Sequence, residues 1–311
     1  MRWVSSVDIL PCTLERSRYF FEMAEVGLVK LAATALDITK AVLPERRSRF
    51  SKKQFSQPQL LALLCVMRFE DWTYREAEVR LGEHAELRAA LELPSVPDHT
   101  TLYRFLRRLK EEDLAKALAE VVKRFPRYKG RRSIVAIDAT GLAPGAISTF
   151  FVHRRHHHSK KPMAWRYWCK WLVVIDVNRH LLLAQTAHAG PVNDCARLPQ
   201  MVDQAHQVAP FKVVLADAEF DSERNHQHVR QILRAQAVIP AKRGKPEWKI
   251  KGVRALMREN FPKKLYRHRV QIESVFSTVK RKLSGRVPGR SLVTQRLQAL
   301  LLGLTFNLYR F

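Results

Sequence analysis

The stretch Ser133-Ile134-Val135-Ala136-Ile137-Asp138-Ala139-Thr140-Gly141 narrows the fold more than any other. A short apolar run closed by glycine is the pattern of a central strand buried on both faces, and such a strand needs helices on either side of its sheet. Asp138 stands inside the run. A carboxylate withdrawn from water is costly unless something pairs with it, so the strand predicts a polar partner arriving from elsewhere in the chain.

The segments that follow complete an α/β layer. Arg166 to Val177 and His180 to Ala189 read as strands joined by a tight turn at Asn178-Arg179. Asp194 to His206 reads as a helix, Phe211 to Ala216 as a buried strand, Ser222 to Ala235 as a helix, and Ala237 to Ala241 as a short strand. Ser291 to Tyr309 is a closing apolar helix. Strand, hairpin, helix, strand, helix, strand, helix is the order of a mixed sheet flanked by helices. Upstream, Ser17 to Val42, Gln57 to Phe69, Tyr74 to Leu81, Ala85 to Leu91 and Thr100 to Val122 all carry helical periodicity. The expected division is an all-helical, DNA-binding domain over residues 1–130 and an α/β domain over 131–311, with a basic irregular insertion at 243–262.

The clearest helix is Tyr266 to Lys280, free of Pro and Gly. At about 100° per residue, Tyr266, Arg269, Glu273 and Lys280 fall within roughly a 60° sector, beside a stripe of Ile272, Phe276, Val279 and Leu283. The stripe predicts burial against the sheet. The polar rim reads either as an active-site wall or as ordinary surface charge pairs.

Charge decides the class of partner. With 55 Lys+Arg against 29 Asp+Glu, the net charge of +26 points to a polyanion, DNA or RNA ahead of a membrane surface. The cysteines Cys12, Cys65, Cys169 and Cys195 lack CxxC spacing and read as reduced thiols. No signal peptide or membrane-spanning run is expected, which places the chain in the cytoplasm. The basic run Arg104, Arg107, Arg108 follows a proline turn and a cap at Asp98 or Thr100. It reads as the second helix of a helix-turn-helix or as the solvated face of a plain bundle. Arg154, Arg155, Lys160 and Lys161 surround a histidine group, and Lys245 and Trp248 lie in the basic insertion; all are candidate DNA contacts. Trp165, Trp168 and Trp171 read as core packing, and Asp176, Asn193 and Asp194 as local caps.

Asp138, Asp217 and Glu273 are the acidic positions that stand out, and carboxylate oxygens suit hard divalent cations able to act in phosphodiester cleavage. Tyrosine, two residues, arginine, three residues, glutamate, six residues, lysine resembles the signature of insertion-sequence transposases of the IS-four and IS-five type, carried here by Tyr266, Arg269, Glu273 and Lys280. Ile137 to Gly141 resembles the family's first-aspartate strand, and Leu215 to Ser222 its second-aspartate segment. Glu219 stands where the family more often has a neutral or basic residue, and its role is left open, as is that of Asp221.

The resemblance implies an RNase H-like core and a catalytic, metal-binding triad of Asp138, Asp217 and Glu273 holding two Mg²⁺ or Mn²⁺. It implies DNA contacts from Tyr266, Arg269 and Lys280. It further implies cleavage at terminal inverted repeats of a prokaryotic element, joining of the 3′-hydroxyls to target DNA, nucleoid association, and at least a homodimer when two ends are synapsed. An RNase H-like nuclease or resolvase that never joins ends, and a non-catalytic DNA-binding regulator, are the alternative readings.

Overall fold

The computed structural model describes residues 25–50, 53–125, 133–144, 168–242 and 252–311. Six helices come first: α1 (Leu28–Val42), α2 (Gln57–Phe69), α3 (Tyr74–Glu83), α4 (Ala85–Ala90), α5 (His99–Arg108) and α6 (Glu111–Arg124). Local chemistry sets their starts. Ser56 and Gln59 form a capping box on α2, and Thr73 and Glu76 form one on α3. Asp98, rather than Thr100, caps α5 by accepting the Thr100 N–H at 2.7 Å.

The single helix expected from Thr100 to Val122 is two. The backbone turns extended at Leu109 and Lys110, and α6 restarts on Glu111, Glu112 and Asp113, acidic residues that suit the positive end of a new helix dipole. Leu109 is buried in the helical core, so packing draws the chain inward at the break.

A five-stranded sheet follows: β1 (Ile134–Leu142), β2 (Cys169–Asp176), β3 (Leu181–Ala189), β4 (Val213–Ala216) and β5 (Gln236–Val238), in the order β3-β2-β1-β4-β5. The first three strands are antiparallel neighbours, while β1/β4 and β4/β5 are parallel. Parallel neighbours need crossovers. These are α7 (Leu198–Val208) between β3 and β4, and α8 (Glu223–Gln227) with a π-helical turn (His228–Ile232) between β4 and β5. The order and directions make the mixed, helix-flanked RNase H-like sheet.

The chain ends with α9 (Val253–Glu259), α10 (Lys263–Tyr266), α11 (Val270–Lys282) and α12 (Leu292–Arg310). One sheet face packs on α11 and part of α12. The other packs on α7 and the β4–β5 crossover. Helix α12 is buried nearly all round: Ala299, Leu302 and Phe306 meet the sheet, whereas Leu297, Leu300, Leu301, Leu304 and Leu308 complete the core of the N-terminal helices. Gly303 is the point of closest approach. A β-carbon there would stand 2.0 Å from the Gln185 side-chain oxygen, and Gln185 links the Trp171 indole N–H to the Leu300 carbonyl.

Candidate active site

The parallel ladder of β1 and β4 ends with Ile137 opposite Ala216. Asp138 and Asp217 come next on their strands, which sets the two residues side by side at the edge of the ladder. Asp138 Oδ1 accepts the Ala139 N–H at 2.8 Å, and Asp217 caps the 3₁₀ turn Ala218–Phe220 through the Ala218 N–H.

The third carboxylate comes from α11. Its stripe of Ile272, Val275, Phe276 and Val279 is buried on the sheet, with the Phe276 ring 5.9 Å from that of Trp171. Burying that stripe turns the neighbouring rim toward the carboxyl ends of β1 and β4. Arg269 sits in a 3₁₀ turn, Arg267–Arg269, that joins α10 to α11, so the continuous helix expected from Tyr266 is interrupted there.

From that turn Arg269 donates to Asp138 Oδ2 through Nη1 and to Glu273 Oε1 through Nη2, both at 2.8 Å. Its guanidinium carbon lies 5.8 Å from the Tyr266 ring centroid. Two helical turns beyond Glu273, Lys280 Nζ donates to Thr140 Oγ1 at 2.7 Å. Tyr266, Arg269, Glu273 and Lys280 thus meet the face of β1 that carries Asp138 and Thr140. Thr140 was not singled out in the sequence, although strand alternation puts it on the same face as Asp138.

Burial pushes the Asp138 carboxyl above the ordinary range, the Ala139 N–H and Arg269 oppose the shift, and the charge of Asp217 adds to it. Burial disfavours the Arg269 cation, yet Tyr266, Asp138, Asp217 and Glu273 together hold its pKa above the usual value. Burial also raises the Tyr266 hydroxyl and lowers the Lys280 ammonium. The result is a desolvated acidic pair whose compensating charge is one guanidinium.

A family model described as a transposase DDE domain matches residues 129–308. The chain belongs to the DDE transposase family. No curated protein matches its sequence. Among solved structures, the Mos1 transposase paired-end complex with left transposon end is similar at 13% identity and a TM-score of 0.25, over 76% of this chain and 80% of that chain.

For a DDE transposase the question is whether these residues fit divalent cations. The donor set is all carboxylate oxygen, as hard cations require, and a positive group already lies against two of its members. The residues fit. The three carboxylates are not drawn together, and Arg269 is paired with both Asp138 and Glu273: among the described residues the group of acidic and histidine ligand atoms lying within 4.8 Å of one another is Glu78, Asp98 and His99, not the triad. That other group is accounted for by capping, since Glu78 accepts the His99 N–H and Asp98 caps α5.

The remaining acidic residues of the transposase domain separate cleanly. Asp221 is buried and takes Arg254 bidentately, at 2.8 and 2.6 Å, with the Lys242 N–H at 2.9 Å. Burial pushes its pKa up, but the nearby His226 ring, 3.7 Å away, and hydrogen bonds from Arg254 and Lys242 outweigh that and hold it well below the usual range. Asp221 is therefore committed to Arg254 and the Lys242 N–H. Glu219 lies exposed on the 3₁₀ turn.

Asp194 is not the helix cap expected of it. Asn193 accepts the Cys195 N–H, while Asp194 is 1% exposed and paired with Lys170 at 2.6 Å and His188 at 2.8 Å. It ties the β3–α7 loop to β2 and β3. Asp176 does cap its turn, accepting from Asn178 and Arg179. Trp171 is core, as expected.

On α5, Arg104, Arg107 and Arg108 are exposed around a buried face of Leu102, Phe105 and Leu106. Arg154, Arg155, Lys160, Lys161, Lys245, Trp248 and Trp165 lie outside the described residues. Among the described residues no helix is long and apolar enough to cross a membrane.

Proposed function

We infer that this chain cuts DNA phosphodiester bonds at the ends of a mobile element and joins the exposed 3′-hydroxyls to target DNA. The observation that carries the reading is the convergence of Asp138, Asp217 and Glu273, brought by two strands and a helix, around the Arg269 guanidinium. Charge of +26 over the chain supplies the attraction to DNA.

Asp138, Asp217 and Glu273 are the residues to hold Mg²⁺ or Mn²⁺. A pair of such cations stabilises charge on the attacking and leaving oxygens of an in-line displacement. The chain's own cations do the positioning. Arg269 presents a fork suited to gripping a phosphate bidentately, and Lys280 acts as a point charge beside Thr140. Tyr266 supports the guanidinium from its ring side. The exposed arginines of α5 and the helical domain of residues 1–130 take the terminal repeats, and α/β residues 131–311 carry the chemistry. Holding two ends at once calls for a dimer or larger assembly.

Two assays test the reading. Metal-dependent cleavage of a substrate carrying the element's terminal repeats should vanish in Asp138→Ala, Asp217→Ala and Glu273→Ala, and full cleavage by the Glu273 variant would sink it. Precut ends should be joined to target DNA by the wild-type chain; cutting without joining would instead assign a nuclease, and DNA binding without either would assign a regulator.

A further inference from the structure

A cavity of about 390 Å³ lies on the N-terminal helices and shares no residue with the carboxylate face. Helix α5 forms one wall with Arg104 and Arg108, one turn apart, and the segment after α1 forms the other with Arg46, Arg47 and Phe50. Phe105 and Leu60, both nearly buried, close the floor. Among the described residues, the guanidinium groups of Arg46, Arg47 and Arg104 have no carboxylate partner, in contrast to Arg68, Arg80, Arg124, Arg254 and Arg269. Glu45 is the lone carboxylate in the lining.

Phe50 is the unusual member. It is 83% exposed, and the Arg49 guanidinium carbon stands 4.8 Å from its ring centroid. An exposed aromatic among unpaired arginines is a platform for a nucleobase and its phosphate. The shape points the same way. A duplex read through its grooves takes convex elements such as helices, whereas a concavity near the lower end of the small-ligand range, about 300–1,000 Å³, takes one flat group at a time. A second cavity of about 590 Å³ shares Glu45, Arg46, Gln54 and Phe55 and continues to Lys53, while Lys40 in its lining is paired with Glu92 at 2.6 Å.

We propose that this cavity seats an unpaired nucleotide of a DNA strand, its base on Phe50 and its phosphate among Arg46, Arg47 and Arg104. This rests on the reading of the chain as a DNA-binding transposase and adds a site for single-stranded extensions or frayed ends to it.

The test measures binding of the full chain by fluorescence anisotropy at one fixed salt concentration. The probes are a blunt duplex and the same duplex with a short single-stranded extension, 3′ in one version and 5′ in another. At least one extended duplex should bind about tenfold more tightly than the blunt one, within the range of stacking one base on an aromatic side chain. Phe50→Ala, a surface change, should erase that preference and leave blunt-duplex affinity within about twofold. A 2-aminopurine in the extension should be quenched by the wild-type chain and not by Phe50→Ala. Equal affinity for all probes, or a preference that survives Phe50→Ala, overturns the pocket while leaving duplex binding intact. Absence of binding to every probe overturns the DNA-binding reading beneath it.

Discussion

Arginine serves two opposite purposes in this molecule, and Arg68, Arg80 and Arg124 show that the helical half uses it in the paired way as well. On the α/β side Arg254 and Arg269 are committed to carboxylates, at distances of 2.6 to 2.8 Å. On the helical side Arg46, Arg47 and Arg104 have no such partner among the described residues, and Arg107 has only the Tyr103 ring, 5.9 Å away. The first group organises internal acid; the second is available to an external polyanion. Net charge cannot separate these uses, because a paired and an unpaired arginine count alike.

The largest effect is expected where internal charge is removed. Asp138→Ala should lower metal-dependent DNA cleavage on the order of a thousandfold while DNA affinity, measured by anisotropy, stays within about twofold. Loss of binding along with cleavage would break the division of labour.

Next comes Asp221→Ala, which leaves Arg254 buried without its anion. It should reduce unfolding free energy in urea by about 3 kcal/mol. Because the folded-state pKa of Asp221 is depressed, its contribution is present above the unfolded value near 4 and is lost as pH falls further. The deficit of the variant should therefore shrink in acid. A deficit that persists unchanged in acid would show that the pair is not what stabilises this corner.

A smaller effect is expected from the unpaired group. Replacing Arg104, Arg107 and Arg108 singly with alanine should each weaken duplex binding by a few-fold and flatten the plot of log K against log[salt] by roughly one unit. Cleavage at saturating DNA should not change. Unchanged salt slopes would move the DNA contact off α5.

The smallest effect sharpens the comparison from the catalytic side. The Asp138 carboxyl is raised by burial and by Asp217, so stability falls as pH rises from its unfolded value through its folded one. Asp138→Asn should thus raise the melting temperature at neutral pH by about 1–3 °C, and a lower value would mean that Arg269 more than compensates the desolvated charge.

Much of this arrangement could be read from residue order alone. The apolar run around Asp138 placed it in a central strand, and the helical period put Ile272, Phe276 and Val279 on the sheet. Asp217 follows directly on the expected strand Phe211 to Ala216 and comes beside Asp138, whereas Asp221, whose role was open in the sequence, pairs with Arg254. What stayed hidden was contact between distant segments. Nothing in the spacing said that Arg269 would stand between Asp138 and Glu273, that Asp194 would be buried against Lys170, or that the segment with Arg46 would fold against α5. The break at Leu109-Lys110 has neither Pro nor Gly and is set by packing, which outweighs helix propensity.

Helix α12 places a condition on synthesis. The N-terminal helices are made first, yet Leu297, Leu300, Leu301, Leu304 and Leu308 fill the middle of their core, and Ala299, Leu302 and Phe306 cover the sheet. Neither half closes until the ribosome has released residues 292–310, and closure across so long a separation is slow. A nascent or truncated chain that lacks this helix presents two open apolar surfaces, inviting chaperones and proteases before it meets DNA. Closure of both cores is thereby made to depend on the last described helix.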